Sequence, residues 1–260
     1  MPTLEILRPT PHTAEVWLNR PEVRNAFNDG VIAELMQAFG ELGADPHLRC
    51  ITLAGRGKAF CAGADLNWMK AMAGYDWEGN RADAQALADM LHTLNTCPVP
   101  IVGRVHGDCY AGGVGLAAVC DVLVAAQGVQ FCLSEARLGL LPATIGPYVL
   151  KAMGEQASRR YFITAERFSA QEAQRLGFVH ECVPAEELDA CVQGLVQTLV
   201  NNGPSAVKAC KQLVQDLAGR PLTQELRADT ARRIADIRVS DEGKAGIRSF
   251  LDKSTPPWLN

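Results

Sequence analysis

Three segments of this 260-residue chain combine residue types that can manage charge on a carbonyl group. Two are turns of small residues. Gly57-Lys58-Ala59-Phe60-Cys61-Ala62-Gly63-Ala64-Asp65-Leu66 follows an apolar run and leads into helix-like sequence. Val105-His106-Gly107-Asp108-Cys109-Tyr110-Ala111-Gly112-Gly113-Val114-Gly115-Leu116 has the same layout. Small residues let a ligand approach the backbone. A helix start also leaves N–H groups without an intrahelical acceptor, and Ala64 and Gly112 stand where such groups would be presented. Two converging N–H groups form an oxyanion hole, which stabilises negative charge developing on a carbonyl oxygen. The first segment is equally readable as an ordinary strand-to-helix turn. The second has neither a Lys-Ser/Thr ending nor G-x-G-x-x-G spacing, so it is neither a P-loop nor a dinucleotide fingerprint.

The third segment is Phe131-Cys132-Leu133-Ser134-Glu135-Ala136-Arg137-Leu138-Gly139-Leu140, with Glu135 in an otherwise apolar run. Apolar surroundings disfavour an ionised carboxylate, which suits an acid/base. The alternative is a solvated glutamate at a helix start capped by Ser134. Asp108 and His106 flank the second turn and read as turn structure or as further acid/base groups. Asp121 reads as a strand-start residue bonding backbone. Cys61 has apolar neighbours and no sign of a lowered pKa, so no covalent intermediate is expected.

These segments need a scaffold. Thr13 to Leu18 alternates as a half-buried strand does. Asn28 can cap a helix with Val31, Ile32, Leu35, Met36, Phe39 and Leu42 at helical spacing. Cys50 to Ala54, Pro100 to Val105 and Asp121 to Ala125 read as strands. Arg81 to Leu94 and Val114 to Val119 read as helices. Alternating helix with near-continuous apolar strands predicts an α/β fold with a buried, largely parallel sheet. After Pro184 the signal is helical only, with stripes Leu188/Val192/Leu195/Leu199 and Ala206/Cys210/Leu213/Leu217, then a polar helix from Leu222 to Arg238.

Composition narrows the classes. A chain 48% hydrophobic can bury a sizeable core, which excludes disorder. A net charge of -4 leaves no basic footprint for nucleic acid or an anionic membrane. The most apolar stretch, Ala111 to Gly128, carries Asp121 in its middle and reads as a buried helix and strand. The nine cysteines are odd in number and include no C-x-x-C pair. With no secretory signal at the start, they are expected to be reduced, in a cytoplasmic protein. The five histidines are scattered, and no metal site is expected.

Taken together, the residues resemble the enoyl-CoA hydratase/isomerase (crotonase) superfamily. The landmarks stand in order: Leu18-Asn19-Arg20-Pro21-Glu22 with Arg24-Asn25-Ala26-Phe27-Asn28; Gly57 to Leu66; His106 to Asp121; Phe131 to Pro142; and Phe168-Ser169-Ala170 through Leu176-Gly177-Phe178-Val179. The resemblance implies a crotonase-like α/β spiral of ββα units over residues 1–195. It implies a helical region, residues 196–260, that builds a homotrimer or a hexamer of paired trimers. It implies an acyl-CoA thioester as substrate, with coenzyme A part of that substrate and no other cofactor. By the same carry-over, Ala64 and Gly112 supply the oxyanion hole for an enolate. Arg24, Ala26, Ala62, Asp65 and Leu66 line the CoA channel. Phe250 and Lys253 match positions that reach the CoA of a neighbouring region. The stretch Trp68 to Trp77, with Met69 and Met72, walls the acyl pocket or is simply an amphipathic helix. Leu138 is expected beside the substrate.

Hydratases of this type hold water between two glutamates. One corresponds to Glu135. The other lies three residues after the oxyanion glycine, where this chain has Gly115. Two reactions survive that loss. Glu135 alone can activate water for addition to a 2-enoyl-CoA, or it can shuttle a proton between Cα and Cγ as a Δ3,Δ2-enoyl-CoA isomerase. The run from Leu133 to Val149 and the run from Arg159 to Ala170 look like the bacterial branch that hydrates methylglutaconyl-CoA-type esters in leucine and terpene breakdown. Such an ester carries a second carboxylate, for which Arg137 and Lys70 are candidate partners, although Arg137 is as readily a structural ion pair. A non-catalytic crotonase-fold protein binding acyl-CoA or RNA is the remaining class; the acidic balance argues against RNA and the retained Glu135 against loss of catalysis.

Overall fold

The computed structural model describes residues 2–259. The chain divides into two compact units, Met1–Val196 and Gln197–Asn260.

The first unit opens with β1 (Leu4–Thr10), β2 (Thr13–Leu18) and α1 (Asp29–Ala44). Then β3 (Cys50–Gly55) and β4 (Ala59–Cys61) precede α2 (Leu66–Met72) and α3 (Trp77–Thr96). Next come β5 (Ile101–Val105), β6 (Asp108–Tyr110) and α4 (Gly112–Ala118), then β7 (Val122–Ala126), β8 (Gln130–Cys132), α5 (Gly146–Met153) and α6 (Glu155–Thr164). The unit finishes with β9 (Arg167–Ser169), α7 (Ala170–Arg175), β10 (Glu181–Val183) and most of α8 (Leu188–Asn201). The strands form two sheets, ordered β1-β2-β3-β5-β7-β10 and β4-β6-β8-β9. The pairs β3/β4, β5/β6 and β7/β8 each give one strand to each sheet and then run into helix. That is a spiral of ββα turns.

The first sheet is parallel from β2 to β10, and only β1 runs against it. Every residue of β3 is buried, as expected of a parallel strand covered on both faces. Asn28 caps α1 by accepting the Val31 N–H at 3.1 Å, and Val31, Ile32, Leu35, Ala38, Phe39 and Leu42 turn inward. Met36 of the expected stripe is only half-buried. β1 lacks the alternation of β2 because it is an edge strand, buried only at Leu4, carrying Pro9 and an irregular register between Leu7 and Thr10. Between Trp68 and Trp77, α2 ends at Met72 and α3 opens at Asp76, whose carboxylate caps the Gly79 N–H at 2.8 Å.

The second unit holds the end of α8, then α9 (Pro204–Leu217), α10 (Gln224–Val239) and α11 (Asp241–Asp252). α10 and α11 start at side-chain caps, Thr223 and Ser240. Among the described residues, no helix is long and apolar enough to cross a membrane.

Candidate active site

β4, β6 and β8 are parallel neighbours, so their C-terminal ends share one edge of the second sheet. The three segments singled out above leave from those ends. Ala62-Gly63-Ala64 follows β4, Ala111-Gly112 follows β6, and Leu133-Ser134-Glu135 follows β8. A topology that starts from short strands therefore brings two backbone donors and a carboxylate to one place.

The first donor is held by a bent loop. Arg24 and Asn25 both adopt φ +56°, a left-handed conformation unusual for residues with a Cβ. Asn25 is buried, and its side chain makes that bend worthwhile. Its Oδ1 accepts the Arg20 N–H at 3.0 Å, and its Nδ2 donates to the carbonyls of Arg56 and Ala59 at 2.8 and 2.9 Å. The loop then delivers Phe27, whose N–H donates to the Gly63 carbonyl at 2.9 Å and whose carbonyl accepts the Asp65 N–H at 3.0 Å. This parallel bridge between Phe27 and Ala64 uses the groups on either side of Ala64. The Ala64 N–H points the other way and has no acceptor among the described residues.

The second donor sits on strained backbone. Ala111 has φ +48° and ψ -122°, a costly conformation for an alanine that is fixed from both sides. Its N–H donates to the Cys132 carbonyl at 2.8 Å, and its own carbonyl accepts the Val114 N–H at 2.9 Å. Gly112, the first residue of α4, is left with an N–H that has no acceptor among the described residues. The two segments touch: a Cβ built on Gly63 would lie 2.9 Å from the Ala111 Cβ and 3.5 Å from the Gly112 nitrogen.

Glu135 opens a short 3-10 turn and is half-buried. Ser134 makes no capping bond there, so the solvated, capped alternative does not describe it. Burial pushes the Glu135 carboxyl above the ordinary 4.5, and its Oε2 is buried with no hydrogen-bond partner. Burial destabilises the ionised form relative to a solvated carboxylate, which makes Glu135 a stronger proton acceptor.

No second carboxylate stands at position 115. A Cβ on Gly115 would overlap Cγ2 of Ile145 and lie 2.8 Å from its Cβ. Neither flanking residue takes the vacant role by its contacts: Asp108 accepts the Tyr110 hydroxyl at 2.6 Å, and His106 bonds the Gly57 carbonyl at 2.9 Å. Asp121 accepts the Ile101 N–H at 2.7 Å, tying down the start of β5. Cys61 is buried and its thiol is pushed up to about 12 by desolvation, so it is inert as a nucleophile. None of the nine cysteines is joined in a disulfide among the described residues.

The other expected binding residues fare unequally. Arg24 is exposed, and its carbonyl accepts the Ala62 N–H at 3.0 Å. Ala26 is buried, and its carbonyl accepts from Arg20 at 2.7 Å. The Asp65 side chain pairs with Arg20 at 2.8 Å and caps α2 through the Asn67 N–H at 2.8 Å. Leu66 and Leu138 are 74% and 60% exposed, and Met69 is half-buried on α2. Arg137 makes no ion pair among the described residues; it donates to the Ala165 carbonyl. Lys70 is exposed on α2. Phe250 on α11 and Lys253 at its C-cap belong to the second unit, with Phe250 84% exposed. Phe27, Asn25 and Ile145 had no role assigned from sequence. Only the small-residue turns they serve hinted that something must pack there.

The family model described as enoyl-CoA hydratase/isomerase matches residues 11–260. An enoyl-CoA hydratase of Alternaria alternata is 31% identical over 241 residues, covering 92% of this chain and 78% of the relative. The crystal structure of an enoyl-CoA hydratase from Shewanella pealeana superposes with a TM-score of 0.94 at 38% identity, covering 98% of this chain and 96% of that one. That of an enoyl-CoA hydratase from Mycobacterium smegmatis gives 0.95 at 31% identity over the full length of both. The ββα spiral, the paired donors and the sequence agreement make this chain a member of the enoyl-CoA hydratase/isomerase family, the crotonase superfamily.

Proposed function

We propose that this protein is an enoyl-CoA hydratase that adds water across a 2-enoyl-CoA with Glu135 as its acid/base. The observation that carries this is the unpartnered, buried Oε2 of Glu135 at the sheet edge that also presents the Ala64 and Gly112 N–H groups. The thioester carbonyl accepts from both N–H groups. Glu135 takes a proton from water, the hydroxyl oxygen bonds to Cβ, and the electron pair of the double bond moves toward the carbonyl as an enolate. The donors stabilise that charge. Glu135 then returns its proton to Cα, completing addition of H and OH with one carboxyl.

The finer assignment is a branched or glutaconyl-type CoA ester, as in leucine degradation. It is supported by the sequence around Glu135 and after Pro142. Assembly as a trimer or hexamer is supported by the apolar residues that α11 leaves exposed, Ile247, Phe250 and Leu251. In that assembly Phe250 and Lys253 would reach a neighbouring CoA site.

One observation favours a second reading. Ile145 fills the space where the other water-holding glutamate would stand, and a lone carboxylate suffices for a Δ3,Δ2-enoyl-CoA isomerase. The test is turnover of crotonyl-CoA, 3-methylglutaconyl-CoA and a 3-enoyl-CoA by the wild type and by Glu135→Gln. Hydration abolished by Glu135→Gln supports the proposal. Turnover of the 3-enoyl substrate alone makes the protein an isomerase, and CoA binding without turnover makes it a binding protein.

A further inference from the structure

We infer that Phe27 is a positioning residue that holds the two oxyanion donors in register, its backbone fixing Ala64 and its ring fixing Gly112. This rests on the oxyanion reading just given. Pairing of β4 with β6 sets the two segments side by side, but two donors aimed at one oxygen cannot bond each other, so their aim is fixed by the groups packed around them. Phe27 touches both. The Gly63 carbonyl and the Ala64 N–H belong to one planar trans peptide and point in opposite directions. The bond from the Phe27 N–H to that carbonyl, at 2.9 Å, therefore sets where the Ala64 N–H points.

The ring serves the other donor. A Cβ on Gly112 would overlap Cζ of Phe27 and lie 3.0 Å from its Cε1, so the ring edge rests on the Gly112 α-carbon. Phe27 is 1% exposed, and its ring lies 6.1 Å from that of Trp68 at 55°. Trp68 is itself fixed, its indole N–H donating to Asp83 at 2.9 Å. Arg20 braces the near side through the Ala26 carbonyl and Asp65. A hole assembled from two strand ends thus has one buried side chain between its halves. Displacing a reacting group by about 1 Å can cost on the order of 100-fold in rate.

The experiment uses Phe27→Leu, which keeps an apolar side chain but withdraws the ring edge, and Phe27→Met as a second variant that refills the volume flexibly. A dialkylaminocinnamoyl-CoA is the spectroscopic probe, because its absorption moves to the red as its thioester carbonyl accepts stronger hydrogen bonds. Wild type should shift the band on binding. Both variants should shift it less, with kcat toward crotonyl-CoA lowered about 10- to 100-fold and KM nearly unchanged. Gly112→Ala should lower kcat severely in wild type and less in the Phe27→Leu background, where the added methyl enters the vacated space. An unaltered band shift in both Phe27 variants, or an equal cost of Gly112→Ala in both backgrounds, overturns the inference. Absence of any shift in wild type overturns instead the oxyanion reading beneath it.

Discussion

Gly115 on α4 and the buried side chain of Ile145 occupy adjoining space so closely that no side chain fits at position 115. An added Cβ there overlaps Ile145 Cγ2, and Ile145 is only 1% exposed, so it has nowhere to retreat. Gly115→Ala should lower stability by about 1–3 kcal/mol, the usual range for overpacking a core. Ile145→Ala alone should be costly too, through the cavity it leaves. Combined, the two should be less harmful than their sum by roughly 0.5–3 kcal/mol, because each relieves the other. Urea denaturation of the four proteins measures this; strict additivity would show that the residues do not compete for space.

Glu135→Gln removes the proton-carrying group while keeping its shape. The expected loss in kcat is about 10²–10⁴-fold, with CoA affinity near that of wild type. The pH behaviour follows from burial, which raises the carboxyl above its ordinary 4.5. As a base it works ionised, so the acid limb of kcat/KM should lie above 4.5 and vanish in Glu135→Gln. Stability moves the other way. Between the unfolded and the raised folded pKa, the native state keeps a proton that the unfolded chain releases, so wild type loses stability as pH rises. Glu135→Gln is spared that loss and should melt higher than wild type at neutral pH. A lower melting temperature there would contradict the burial account.

The large periodic elements were legible in the residues, and the joints were not. β2 runs from Thr13 to Leu18 as its alternation demands, and α1 starts at the Asn28 cap because one face of it is apolar. β4, β6, β8 and β9 have three residues each, too few for any period to register, yet the three candidate segments leave from the ends of β4, β6 and β8. α3 begins four residues before the expected Arg81, at a cap by Asp76 that carries no apolar signature. Ala64, Gly112 and Glu135 stand out as candidates through small-residue turns and a carboxylate in an apolar run, but their proposed roles come from the resemblance and not from those local signals. Phe27 and Ile145 carry no signal of their own in the sequence. Their significance lies in what they press against, Gly112 and Gly115, far away in sequence. The pairing of Asp65 with Arg20 was not legible because the two residues lie 45 positions apart in sequence.

Asn25 should be among the least replaceable polar residues of the first unit. It is 2% exposed, and its side chain satisfies one N–H and two carbonyls that have been taken out of water. Leaving a buried partner unsatisfied costs roughly 1–3 kcal/mol, so Asn25→Ala should lose about 3 kcal/mol or more in chemical denaturation. Asn25→Gly separates the causes. Glycine accepts φ +56° freely but makes none of the bonds. Its stability should stay close to that of the alanine variant; recovery toward wild type would assign the role to backbone conformation instead.

His106 should make the protein less stable in mild acid. Its Nε2–H donates to the Gly57 carbonyl at 2.9 Å, which leaves Nδ1 as an acceptor, buried and without a partner. Desolvation lowers its pKa below the ordinary 6.5, outweighing the bond to Gly57; Arg104 adds to the lowering and Asp189 opposes it. The folded state therefore resists a proton that the unfolded chain takes up near 6.5. Stability is complete above that value and falls as pH drops through it toward the lower folded pKa. His106→Gln keeps an N–H for Gly57 but cannot titrate. Melting temperatures recorded from pH 8 to pH 5 should decline more steeply for wild type than for His106→Gln. Parallel curves would mean that His106 is protonated as easily in the folded protein as in the unfolded chain.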